Sequence, residues 1–238
     1  METIFSPTPP DVERYQRLRT VVRELNNRMV KTIPKRAFAE VGDALGIRHN
    51  GVLEFDNEDE TSVLMDCILY DWFQNGKNLV QRYAAAHLFS SGTDEDIMMR
   101  ACLKAKYRIV SMESSVPGAG VRCKDLLNGG NLFLMDVAMS QLQHVPNGCS
   151  LATRTMPVDA YWITGGAALP IDKHTRLVES CEQIERDYSG LLEGRDKYSV
   201  SLGIIRACLA AGAYPKETPA WRLAHSKAAP CLETFPYF

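Results

Sequence analysis

Seven acidic side chains fall between residues 54 and 71 with no Lys or Arg among them: Glu54, Asp56, Glu58, Asp59, Glu60, Asp66 and Asp71. Hard divalent cations are held by several carboxylate oxygens, so this run is the first place where chemistry could be sought. Asp59, Asp66 and Asp71 would then be the working carboxylates of a metal-dependent hydrolase. The spacing is not that of an EF-hand loop, which needs Gly at its sixth position. Acidic residues at the start of a helix also favour the positive end of its dipole without any ligand. The run is therefore read as a helix start with a solvated face, and no metal is assigned.

Thiols and imidazoles give no stronger signal. Cys67, Cys102, Cys123, Cys149, Cys181, Cys208 and Cys231 are widely spaced and form no C-x₂₋₄-C pair. His49, His87, His144, His174 and His225 include no H-x-x-x-H or H-E-x-x-H. Cys149 with His144 or His174 could form a dyad in space, but nothing local marks one. Gly118-Ala119-Gly120, Gly129-Gly130 and Gly165-Gly166 lack the spacings that cradle phosphates, and read as turns supplying positive φ. Ser114, Ser115 and Ser140 lack a G-x-S-x-G context. No catalytic residue and no cofactor is assigned. Odd, unpaired thiols and the absence of a leader-like N-terminus point to a reduced, cytoplasmic protein. No apolar run reaches the length of a membrane span, so no membrane partner is expected.

Two features suit binding. Residues 1–36 hold eight basic side chains against four acidic ones. Arg14, Arg17, Arg23, Arg28, Lys31, Lys35 and Arg36 could meet phosphates by counterion release. The plainer reading is the wet side of an amphipathic helix. At the other end Trp221, Phe235 and Phe238 make a Pro-rich tail apolar enough to dock on a partner. The net charge of −2 gives the whole chain no attraction to nucleic acid, so any such binding must be local.

The elements that would position these residues follow from periodicity. Hydrophobic residues at 45% and charged ones at 24% are ordinary globular values, so a packed core is expected. Tyr15, Leu18, Val22, Leu25 and Met29 recur at spacings of three and four, making a helix from Asp11. Pro34 opens a second helix that Gly46 stops. Val52–Phe55 reads as an extended link, followed by helices at about 58–73, 78–87 and 94–106. The period then changes. Strands are expected at 107–113, 120–126, 131–136, 149–156 and 159–164, with 137–147 irregular and Pro157 in the last turn. A nearly uncharged helix spans about 198–211. The fold class is α+β: a helical N-terminal segment (1–106), a central small antiparallel β-barrel-like module (107–171), a C-terminal helical pair (172–213) and a Pro-rich tail (214–238).

The runs VLMDCILYDWF (63–73), YRIVSMESSVPGAGVRCKDLLNGGNLFLMD (107–136) and CSLATRTMPVDAYWITGGAALPI (149–171) resemble a family of uncharacterised bacterial proteins with a helical N-terminal half and a small β-module. Some of those relatives carry a C-terminal SEC-C zinc-binding motif. Cys231 is the only cysteine after Cys208 here, so the resemblance implies no metal. The shared residues are turn and packing positions, and they imply a fold without an activity. The first expectation is a non-catalytic cytosolic interaction or regulatory subunit of a bacterial system with a protein partner. The alternatives are a nucleic-acid-binding protein using the basic helix and the β-module, and the metal-dependent hydrolase.

Overall fold

The stripe of Tyr15, Leu18, Val22, Leu25 and Met29 does build the first helix, α1 (Pro9–Val30), and every one of these side chains is buried. Thr8 precedes it, donating its backbone N–H and hydroxyl to the Asp11 carboxylate at 2.8 and 2.6 Å. In this computed structural model the described residues are 5–55, 58–141, 150–171 and 199–211. They fall into two compact units, and the boundary lies inside α1, between Thr20 and Val21.

The helical unit holds described residues 21–55, 58–103 and 199–211. Its helices are α2 (Lys35–Leu45), α3 (Glu58–Tyr70), α4 (Leu79–Ala86) and α5 (Asp94–Leu103), with a later helix Ser199–Ala210. Gly46 ends α2 at φ 76°, the left-handed conformation that a residue without Cβ adopts freely. Asn78 caps α4 with a complete capping box: its side chain accepts from the Gln81 N–H, while the Gln81 side chain accepts from the Asn78 N–H. Ser201 donates to Asp71 at 2.9 Å, and Arg206 donates to the Ala44 carbonyl at 3.1 Å near the C-terminal end of α2.

The second unit holds described residues 5–20, 104–141 and 150–171. Between α2 and α3, in the helical unit, lie the short strands β1 (Arg48–His49) and β2 (Val52–Leu53). The barrel strands are β3 (Lys106–Val116), β4 (Gly120–Asp125), β5 (Asn131–Met135), β6 (Ser150–Val158) and β7 (Tyr161–Ile171), with α6 (Val137–Ser140) after β5. With α6 assigned, the helix Ser199–Ala210 is α7. The barrel closes in the order β3-β4-β5-β7-β6. Its pairs are antiparallel except β5 with β7, which run parallel. Three consecutive strands followed by a fourth lying beside the first make a Greek key.

β3 serves two neighbours. Residues 106–111 pair with β6, residues 110–116 with β4, and the register shifts between Met112 and Ser114. Such a bulge bends the strand, which lets one strand turn the barrel's corner. Alternate residues point inward. Val110, Met112, Val121, Cys123, Leu134, Met139 and Leu151 form the inner core, with Leu132 and Trp162 against it.

Several boundaries differ from the sequence-based expectation. Val52 and Leu53 are not a link but half of a hairpin with β1, turned by Asn50 (φ 51°) and Gly51 (φ 84°). Asn-Gly is a strong signal for such a turn. Residues 137–140 are helical because the Asp136 side chain caps them, accepting from the Met139 N–H. Pro157 lies within β6 opposite Trp162, and the turn is Asp159-Ala160, with Asp159 at φ 48°. Gly165 and Gly166 lie inside β7 rather than in a turn. Gly118, Gly129 and Gly130 do take positive φ, while Gly120 serves close approach: a Cβ there would sit 2.0 Å from the Leu134 carbonyl oxygen.

Candidate nucleic-acid interface

With Val121 and Cys123 inside the barrel, Arg122 and Lys124 on β4 must point outward. On β5, Phe133 lies between the inward Leu132 and Leu134 and also faces out. The register sets Arg122 opposite Phe133 and Lys124 opposite Asn131 and Ser111. The Arg122 guanidinium carbon is 6.0 Å from the Phe133 ring centre, within cation–π range. Tyr107 on β3 is opposite Arg154 on β6, with the guanidinium carbon 5.2 Å from the ring centre. The barrel thus sets Arg122 beside Phe133 and Arg154 beside Tyr107, with Phe133 and Arg154 both buried.

Residues before and within α1 lie against this barrel. The Phe5 ring is 5.4 Å from Phe133 and 5.5 Å from Tyr161, and both partners are buried. Arg14 pairs with Asp159 at 2.6 Å, and Arg19 donates to the Thr164 carbonyl at 2.6 Å. The Tyr161 hydroxyl is buried with no hydrogen-bond partner among the described residues. Burial pushes its pKa up, with Arg14 opposing and Asp159 adding to the rise.

Inside the barrel Arg108 continues the inward row of Val110 and Met112, and Asp125 continues that of Val121 and Cys123. They form a buried ion pair. Arg108 also donates to the Thr155 hydroxyl at 2.9 Å and lies 4.2 Å from the Trp162 ring centre. Burial would raise the Asp125 carboxyl, but the Asn128 N–H and amide, the Leu127 N–H and Arg108 together hold it below the usual range. The charged pair is therefore a fixed structural element at one end of the barrel, with every strong acceptor site used.

The basic stripe is divided between the units. Arg14 and Arg17 belong to the barrel unit, where Arg14 is paired with Asp159 and Arg17 also has a partner. Arg28 pairs with Glu95 at 2.5 Å in the helical unit. Arg36 lies over Trp72, while Arg23, Lys31 and Lys35 make no ion pair among the described residues. Trp221, Phe235 and Phe238 lie outside the described residues, as do His144, Cys149, His174, Cys181, His225 and Cys231.

The acidic run does not converge among the described residues. Asp71 is buried and accepts from Ser201, and Glu60 and Asp66 have partners. Asp56 and the side chains of Glu58 and Asp59 lie outside the described set. No group of three or more His, Cys, Asp or Glu side chains fit to hold a metal occurs among the described residues. Burial pushes the Cys102 thiol up to about 11 and Cys123 to about 12, so neither is a thiolate at neutral pH. No described helix is long and apolar enough to cross a membrane.

Sequence reasoning passed over Arg122, Phe133, Arg108, Asp125 and Trp162. The signal was present in strict alternation: R-x-V-x-M on β3 and V-x-C-x-D on β4 each place a charge in an apolar row.

This chain belongs to DUF7986, a family of unknown function whose model matches residues 10–189. No curated protein and no solved structure gives a significant match.

Proposed function

We propose that the chain is a non-catalytic protein that binds single-stranded nucleic acid on the outer wall of its barrel. A five-stranded Greek-key barrel is the architecture of the OB-fold, whose second and third strands, with the loops joining strands one to two and four to five, carry oligonucleotides. Counted from β3, those strands are β4 and β5, and those loops are 117–119 and 159–160. The observation that carries the reading is what stands on β4 and β5: Arg122, Lys124 and Asn131 around Phe133, a ring that Phe5 covers. A ring for stacking with cations for the backbone is what binding a single strand requires.

The test is fluorescence anisotropy with labelled single-stranded DNA and RNA at about 50 mM salt, where phosphate contacts are strongest. Binding that weakens in Arg122→Gln and Lys124→Gln, both on exposed or half-exposed positions, supports the reading. No binding to either polymer at that salt sinks it.

A protein partner is the second reading, favoured by Leu126 and Leu127, which stand 49% and 44% exposed between β4 and β5. Two adjacent exposed leucines on one turn form a small apolar contact point. On this reading the chain is a regulatory subunit of a cytoplasmic bacterial system, consistent with its widely spaced thiols and with the resemblance of its sequence to bacterial proteins. Affinity purification with the Leu126→Ser, Leu127→Ser double variant tests it: a partner held equally by wild type and variant excludes this turn.

A further inference from the structure

The helical unit contains a cleft of about 320 Å³ whose lining includes Thr32, Pro34, Gln74, Arg82, Tyr83 and His87. Arg82 lines it and is anchored on an indole over which Arg36, outside the lining, also lies. The guanidinium carbon of Arg82 is 4.9 Å from the ring centre of Trp72, and that of Arg36 is 5.4 Å from the same centre. Trp72 is 1% exposed, so the ring is a rigid base for both. Arg82 is further oriented by donating to the Gln74 side-chain oxygen at 2.8 Å.

Neither arginine pairs with a carboxylate among the described residues. Glu40, one turn after Arg36 on α2, accepts the Trp72 indole N–H at 2.6 Å. Lys31 and Lys35, each adjacent in sequence to a lining residue, are exposed and without an ion pair among the described residues. Burial, and then the charge of Arg36, hold the Arg82 pKa below its ordinary value. The local balance is an excess of positive charge, and Arg82 is half-buried.

One wall is equally fixed. The His87 ring stacks on Tyr83 with centres 3.9 Å apart and planes 18° apart, and its Nδ1 lies 2.9 Å from the Tyr83 carbonyl oxygen. Since a carbonyl can only accept, Nδ1 carries the proton and Nε2 remains for another partner. Leu79 adds an apolar surface.

We propose that this cleft binds a small phosphorylated molecule, with its phosphate held by Arg82 and its remaining part against Tyr83 and Leu79. A planar guanidinium stacked on an aromatic ring is pre-oriented for bidentate contact with phosphate oxygens. The volume is near the lower end for ligand sites, which suits a molecule of sugar-phosphate size. The proposal does not rest on nucleic-acid binding by the barrel.

Isothermal titration of the full chain with inorganic phosphate, pyrophosphate and ribose 5-phosphate, and with ribose as the uncharged control, tests it. The phosphorylated probes bind and ribose does not. Arg82→Gln lowers affinity about tenfold or more, as expected for a lost charge-assisted hydrogen bond. Arg100→Gln, at an exposed arginine on α5 paired with Asp96, leaves it unchanged. Heat from none of the phosphorylated probes up to about 10 mM, a concentration corresponding to a binding energy under about 3 kcal/mol, overturns the proposal. So does equal affinity in wild type and Arg82→Gln. If circular dichroism shows that Arg82→Gln is unfolded, Arg82→Lys decides, since it keeps the charge and loses the planar fork: unchanged affinity there overturns the proposal. Single-stranded oligonucleotide separates the two sources of phosphate. Pyrophosphate leaves its binding untouched if the cleft serves small molecules, and a cleft that responds only to oligonucleotide overturns the proposal.

Discussion

Arg108 and Asp125 are both charged and both buried, and each is satisfied: Arg108 by Asp125, Thr155 and the Trp162 face, Asp125 by three further donors from Leu127 and Asn128. Removing one partner of such a pair leaves an uncompensated charge in the interior, which costs about 3–5 kcal/mol. Asp125→Asn is expected to lose stability on that scale at neutral pH, read by chemical denaturation. The sign with pH follows from the lowered Asp125 carboxyl. A carboxyl held below its unfolded value near 3.9 stabilises the fold fully above that value and loses its contribution as pH falls below it. Wild-type stability should therefore drop below about pH 4, and the drop should be shallower in Asp125→Asn. Equal stability of the two proteins at pH 7 would show that the pair holds nothing in place.

Among the elements, β4 and β5 approach closely where Gly120 faces Met135, with the Leu134 carbonyl 2.0 Å from where a Cβ would stand. The obstacle is backbone, so it cannot swing aside. Gly120→Ala should destabilise the barrel by about 1–3 kcal/mol, the usual range for overpacking, and a thermal melt equal to wild type would refute that account. Phe5 is the second test at this scale. It covers Phe133 and Tyr161, rings that a base would stack on. Phe5→Ala should expose Phe133 and tighten oligonucleotide binding several-fold, if stacking contributes about 1–3 kcal/mol per base. Weaker binding in Phe5→Ala would mean that Phe5 itself is part of the surface. The elements were also the scale most legible in sequence. The α1 stripe and the strand-rich stretch from 107 to 171 are written in periods of 3.6 and 2. Strand order was not legible, because β6 returning to β3 and β7 slotting beside β5 are long-range choices that no local pattern encodes. Arg122 and Phe133 were invisible as a pair for the same reason: they are neighbours only through the β4–β5 register.

The molecule as a whole carries a net charge of −2, so nothing global pulls nucleic acid toward it. The basic first helix read in sequence as a wet face that could also meet phosphates, and Arg14 and Arg28 are spent on Asp159 and Glu95 while its residues divide between two units. Charge that neutralises a carboxylate of the same chain cannot release counterions from a strand. On the proposed reading, binding rests on few cations, Arg122 and Lys124 on the barrel wall. The logarithm of affinity for a single strand falls with the logarithm of salt by about 0.7 per phosphate neutralised. Two contacts give a slope of about −1.4, shallow beside proteins that bury a basic groove. Anisotropy titrations from about 50 to 200 mM salt should return that value, and Arg122→Gln should reduce it by about half. A slope several times steeper would show that the first helix surrenders its internal partners on binding, and would move the interface from the barrel wall to α1.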